Sequence, residues 1–197
     1  MKILIATGNQ DKLSQFKRIF ENLGSDIELL SLKDVGIFDD VEEDQETLLE
    51  NAKKKAKFYA EKSGLPSLSD DFGIFVNALD GFPGVSSKRW MKGSDKDRCA
   101  ALIEKLKKFP KEKWTAKYIG AVALYDPEKK KFWENVNEAE GVVVDEFRGD
   151  QFFGYDSIFE SKKFGKTFAE LGDEEKMFVG HRSLGIKELL RHLSREN

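Results

Sequence analysis

Cysteine is almost absent from the chain: Cys99 is the only one among 197 residues, so no intrachain disulfide and no thiolate-rich zinc centre can form. Its neighbours Leu102, Ile103 and Leu106 put it on the apolar side of a helix, which reads as a small buried core residue. Proline is scarce too, with four in all, and no repeat, low-complexity tract or Pro/Ser-rich linker divides the chain. No apolar run approaches the roughly 20 residues of a membrane span, and residues 1–6 are too few for a signal peptide. A basic excess is missing as well: 33 Lys and Arg against 36 Asp and Glu leave a net charge of −3. That argues against a general nucleic-acid coat and against a membrane-surface protein. The default compartment is the reducing cytoplasm.

What is present suffices for a core. Apolar residues make up 40% of the chain, and 16 Phe, 3 Trp and 4 Tyr are spread along it, which excludes disorder. A chain of this length buries about 70% of the surface its unfolded form exposes, so it needs no structural metal. Residues 2–6 read as a buried strand, and 11–23 as a helix with Leu13, Phe16, Ile19, Phe20 and Leu23 at helical spacing. Strand 27–32 follows, then a helix over 46–63 stopped by Gly64. Ser67–Asp71 and Gly73–Leu79 read as two short strands broken at an acidic pair. Ser94 and Asp97 form a capping box for a helix to about 108. Segments 114–125 and 131–145 alternate around Asp126-Pro127-Glu128 as a long hairpin, and a last helix covers 184–193. The fold class is α/β with a mixed sheet, in one domain or a bilobed one over 1–197.

Several residues sit where a packed fold alone does not require them. Thr7-Gly8-Asn9 joins a strand to a helix N-terminus, with Lys12 one turn inside; free amides and the helix dipole suit a phosphate there, while a plain turn capped by Asn9 is the alternative. On helix 46–63, Lys55 falls beside Leu48 and Tyr59 on the apolar arc, so it either snorkels or meets an anion. Adjacent carboxylates Asp70 and Asp71, with the acidic run Asp39, Asp40, Glu42, Glu43 and Asp44 upstream, suit a hard cation such as Mg²⁺, or are solvated loop acids. Phe152-Phe153-Gly154-Tyr155-Asp156 offers rings that stack on a flat base or plug the sheet end. Lys176 and His181-Arg182 place cations near the start of the last helix. His192 reads as surface helix. One ligand satisfies them all: a polyphosphate, a divalent ion and a planar base, which is a nucleoside triphosphate.

In these residues the chain resembles the non-standard purine nucleoside triphosphate pyrophosphatases, also called inosine triphosphatases or dITP/XTP pyrophosphatases. The resemblance runs from Ile5-Ala6-Thr7-Gly8-Asn9 and Lys12 through Glu43, Glu50-Asn51-Ala52, Lys55-Ala56 and Ser69-Asp70-Asp71 to Ala78–Val85. It ends in Phe153–Asp156, Thr167–Leu171, Glu174-Glu175-Lys176 and His181-Arg182. It implies a long bent mixed sheet flanked by helices, forming two lobes with the active-site cleft between them, and a cytoplasmic homodimer that needs Mg²⁺. It also implies hydrolysis of ITP, dITP and XTP to the monophosphate and pyrophosphate. Thr7, Gly8, Asn9, Lys12 and Lys55 would hold phosphates, with Lys176 also on the ligand. Asp71 would accept the proton from water and, with Glu43 and the neighbouring Asp70, meet the metal. Phe153, Gly154, Tyr155, Asp156, His181 and Arg182 would form the base pocket beside Phe72, with Arg182 donating to the 6-oxo group.

Four positions depart from the family pattern: Phe72 where it has Ser or Cys, Ser157 for Pro, Met177 for Asn and Gly180 for Ser. They imply an altered preference among bases. The competing expectations are a pyrophosphatase for another modified nucleotide and a nucleotide-binding protein with reduced turnover.

Overall fold

The computed structural model describes residues 1–150 and 153–196. The elements are β1 (Lys2–Ile5), α1 (Gln10–Asn22), β2 (Glu28–Leu30), α2 (Leu48–Ser63), β3 (Ser67–Val76), α3 (Asp95–Leu106), β4 (Thr115–Asp126), β5 (Lys131–Val143), β6 (Phe159–Ser161), α4 (Asp173–Val179) and α5 (His181–Glu196). Six strands form one sheet in the order β2-β1-β3-β4-β5-β6. β1 is parallel to both β2 and β3, and β5 is antiparallel to β6. The sheet is therefore mixed, and the class is α/β.

Local chemistry fixes the helix ends. Asn9, Thr47 and Ser94 are N-caps, each accepting an amide of the first turn. The expected box of Ser94 and Asp97 is present in full. Helix α2 starts at Leu48 rather than 46 because the Thr47 hydroxyl takes the Glu50 amide, and Gly64 closes it in the left-handed conformation.

Two expectations fail. Residues 67–71 and 73–79 are not two strands: β3 runs unbroken through the acidic pair, because cations neutralise Asp70 and the chain has no reason to leave the sheet there. The tail of that segment, Asn77–Leu79, is a 3₁₀ turn. Gly73 allows a close approach, since a Cβ there would lie 2.3 Å from the Gly84 carbonyl oxygen. The last helix begins at His181, not 184, and Lys176 belongs to a separate helix, α4. That seven-residue element has little apolar periodicity to announce it, and Glu175 takes the Gly172 amide at 3.0 Å to start it.

The chain divides into two compact units. The first comprises residues 1–71, 120–137 and those from 182 on; the second comprises 72–119 and 138–181. In the first, Leu4, Ala6, Leu32, Ile37, Val41 and Tyr59 pack together, and α1 buries Leu13, Phe16, Ile19 and Phe20. The core of the second gathers Ile74, Leu102, Leu106, Tyr118, Ile158, Phe159 and Phe168, with Cys99 buried among them on α3 as its spacing implies. His192 stacks on Trp133, ring centroids 6.2 Å apart, so it is not a bare surface residue. No helix among the described residues is long and apolar enough to cross a membrane.

Candidate active site

In the first unit the chain leaves β1 and turns through Thr7-Gly8-Asn9 into α1. Thr7 Oγ1 accepts the Asn9 amide at 3.1 Å, and Asn9 Oδ1 accepts the amides of Asp11 and Lys12 at 2.8 and 3.2 Å. Asn9 does cap, and the cap orders the turn whose amides a phosphate would use. One turn into α1, Lys12 is only 8% exposed and donates to Asp70 Oδ1 at 3.0 Å. Lys55 of α2, equally buried, donates to the Asp70 carbonyl at 2.8 Å and pairs with Glu43; it meets an anion rather than snorkelling. Arg182, in the first turn of α5, reaches Asp70 Oδ2 through Nε at 2.9 Å and Nη2 at 2.6 Å. Its remaining Nη1 contacts Gln15, and the guanidinium lies 5.4 Å from the Phe16 ring centroid. Three helices thus meet at one residue of β3, α1 and α5 at the Asp70 carboxylate and α2 at its main-chain carbonyl.

The acidic loop before α2 is tied down by that helix. Asn51 Oδ1 accepts the Gln45 amide at 3.0 Å, and Lys54 donates to the Glu42 carbonyl at 2.9 Å and to Asp44 at 2.6 Å. These bonds hold the loop so that Glu43 stays with Lys55.

Neighbouring carboxylates Asp70 and Asp71 differ sharply. Burial alone would raise Asp70, but Arg182, Lys12 and Lys55 outweigh it and hold the carboxyl well below the usual carboxylate range. Asp71 goes the other way: burial pushes it up, Lys55 opposes, and repulsion from Glu43 adds to the rise. Lys12 is lowered, by burial first, with Asp70 resisting. Asp71 is therefore the stronger base of the pair, while Asp70 is an anchor for cations.

The donors also suit a divalent cation. Both Asp70 oxygens are taken by Lys12 and Arg182, which leaves Glu43 and Asp71 as hard oxygen ligands whose mutual repulsion an ion would relieve. Among the described residues no three acidic, His or Cys side chains stand ready to hold an ion. Mg²⁺ does not need such a cage, because it takes one or two carboxylates and completes its shell with waters and substrate phosphates.

The second unit holds the aromatic group. Phe72 stacks on Phe153 and on His181, and Gln151 and Phe152 lie outside the described residues. The loop that carries Phe153 is held by its backbone. The Gly154 amide donates to Asp95 Oδ2 at 2.7 Å, its carbonyl accepts Cys99 Sγ at 3.3 Å, and the Tyr155 amide donates to Tyr118 Oη at 3.0 Å. Tyr118 in turn donates to Asp156 Oδ1 at 3.1 Å. Tyr155 is buried; its hydroxyl donates to the Ser87 carbonyl and accepts from Trp90 Nε1, both at 2.7 Å. It is a bolt for the loop rather than an open contact. Lys176 is half-buried on α4 in this unit. Asp95 and Tyr118 escaped the sequence reading: Asp95 looks like an ordinary first-turn acid, and Tyr118 like one more inward residue of an alternating strand.

A model of the Ham1 family matches residues 3–192. The chain belongs to the Ham1 family. This Ham1 chain is 41% identical to a dITP/XTP pyrophosphatase of Geobacter sulfurreducens over 194 residues, 98% of this chain and 96% of that one. It is 37% identical to a dITP/XTP pyrophosphatase of Symbiobacterium thermophilum, over 98% and 94%. Solved Ham1 structures agree in fold: a HAM1 protein of Coxiella burnetii superposes with a TM-score of 0.86 at 30% identity, covering 99% of each chain. The Staphylococcus aureus Ham1 protein gives 0.85 at 30%, covering 100% of each.

Proposed function

We propose that this Ham1 chain hydrolyses non-standard purine nucleoside triphosphates, ITP, dITP and XTP, to the monophosphate and pyrophosphate. The observation that carries the reading is the buried set of Lys12, Lys55 and Arg182 around Asp70, next to a carboxylate, Asp71, whose proton affinity is raised. Lys12, Lys55 and the turn Thr7-Gly8-Asn9 bind phosphate oxygens, with Lys176 also on the ligand. Asp70 is the positioning residue that holds Lys12 and Arg182, and Arg182, whose guanidinium carries five N–H donors, also donates to the 6-oxo group. Glu43 and Asp71 hold a divalent cation, Mg²⁺ by the hardness of the donors; when bound it supplies charge neutralisation on the phosphate oxygens. Asp71 accepts on its carboxylate the proton of the water that attacks the α-phosphorus, a role worth about 10²–10⁴ in rate. Phe153, Gly154 and Asp156 with His181 take the base; Tyr155 fixes their loop from beneath. The family resemblance implies further that the enzyme acts as a cytoplasmic homodimer, which sedimentation at micromolar concentration tests.

The deciding experiment is pyrophosphate release from ITP, dITP, XTP, GTP and ATP with Mg²⁺, with Asp71→Asn alongside. Release from the first three that is lost in Asp71→Asn supports the reading. Turnover of a different nucleotide retains the chemistry and moves the base, and ITP binding without any release rejects the enzyme.

A further inference from the structure

Phe72 stands in the middle of a row of flat groups. Its ring centroid is 5.7 Å from that of Phe153 and 4.9 Å from that of His181, with the planes 25° apart in both pairs. Tyr118 meets it edge-on at 6.1 Å. Beneath it lies Gly154, in the left-handed conformation at φ +57°, where even a Cβ would come within 3.6 Å of the Phe72 ring. A flat ring between two near-parallel flat groups is the packing a nucleobase makes with aromatic side chains. Phe72 is half-buried, and a change of χ1 rotamer is the movement that would take it out of the row without withdrawing β3.

We infer that Phe72 is a built-in occupant of the base slot, covering the facing sides of Phe153 and His181 until a base displaces it, and thereby setting the affinity for every base. The inference rests on the assignment of Phe153 and His181 to the base. Binding then requires the state in which Phe72 has left the row, and the apparent affinity falls by the fraction of molecules in that state. Each ring pair is worth a factor of about 2 to 12, so the two together weaken base binding by about 4- to 140-fold, about tenfold near the lower end of that range. Every base meets the same penalty, so the ratio between bases does not change. A ligand without a base meets none.

The test measures KM for ITP and XTP and inhibition by inorganic tripolyphosphate in the wild type, Phe72→Ser, Phe72→Leu and Phe153→Ala. Phe72→Ser is expected to lower both KM values by a common factor of about ten, with tripolyphosphate inhibition unchanged; that inhibition also reports a folded site. Phe72→Leu keeps bulk but loses the flat face, and should lie between. A KM for ITP that rises or stays constant in Phe72→Ser overturns the inference, because Phe72 is then a wall of the pocket or a bystander. If Phe72→Ser fails to fold, a constant or raised KM in Phe72→Leu overturns it equally. Phe153→Ala separates the two levels: unchanged ITP binding in that variant defeats the base assignment itself, whatever Phe72 does.

Discussion

Asp70 carries its charge among Arg182, Lys12 and Lys55, whereas Asp71, the next residue, is pushed toward its protonated form by burial and by Glu43. Removing the first carboxylate leaves buried cations uncompensated, so Asp70→Ala should lose about 3–5 kcal/mol of stability, read as the urea midpoint in EDTA. Asp71→Asn should keep that midpoint and lose about 10²–10⁴ in pyrophosphate release. The pH dependence has a definite sign. Below the unfolded carboxylate value of about 3.9 the unfolded chain binds a proton that native Asp70 refuses, so stability falls as pH falls. Asp70→Asn should therefore show a shallower loss below pH 4. At Cys99, burial pushes the thiol up to about 12; the native protein should resist a disulfide reagent at pH 8 and react fully once unfolded.

Among the elements, α3 does more than pack its apolar side. Its cap is the box of Ser94 and Asp97, and Ser94→Ala should cost about 1 kcal/mol in thermal unfolding. The next residue, Asp95, grips the Gly154 amide, so Asp95→Ala should raise the nucleotide KM roughly three- to tenfold, with rescue by Asp95→Asn, which still offers an acceptor oxygen. On β3, Gly73→Ala drives a methyl into the Gly84 carbonyl and should destabilise by about 1–3 kcal/mol, seen as a lowered melting temperature. These elements also show what a sequence reveals. α1, α2 and α3 were legible because caps and apolar spacing are local chemistry. β3 was misread as broken because the neutralisation of Asp70 comes from Lys12 and Arg182, 58 and 112 residues away in sequence. α4 was missed because its seven residues carry charge rather than period.

For the whole molecule, the mixed sheet and α/β class followed from the order of strands and helices, and the family from motifs spread along the chain. What those motifs could not give was the role of each residue within the site. Arg182, implied by the resemblance as a donor to the base, gives two bonds to Asp70 Oδ2, and Tyr155, implied in the base pocket, has a hydroxyl bonded to Ser87 and Trp90. Both partnerships escape the sequence for one cause, since a side chain's partner is set by tertiary contacts that no local spacing encodes. The first unit is assembled from three separated stretches of chain, and the first and last of them supply Lys12, Asp70 and Arg182 to one cluster.

That last arrangement bears on how the protein is made. A ribosome releases Arg182 112 residues after Asp70, so through that interval the emerging chain carries a carboxylate and lysines without the guanidinium that locks them together. A product of premature termination anywhere before residue 182 lacks that lock, along with Ile186 and Leu189, which the finished fold buries completely. Incomplete translation should thus yield material for proteolysis, not a nucleotidase with relaxed selectivity loose among the cell's GTP and ATP.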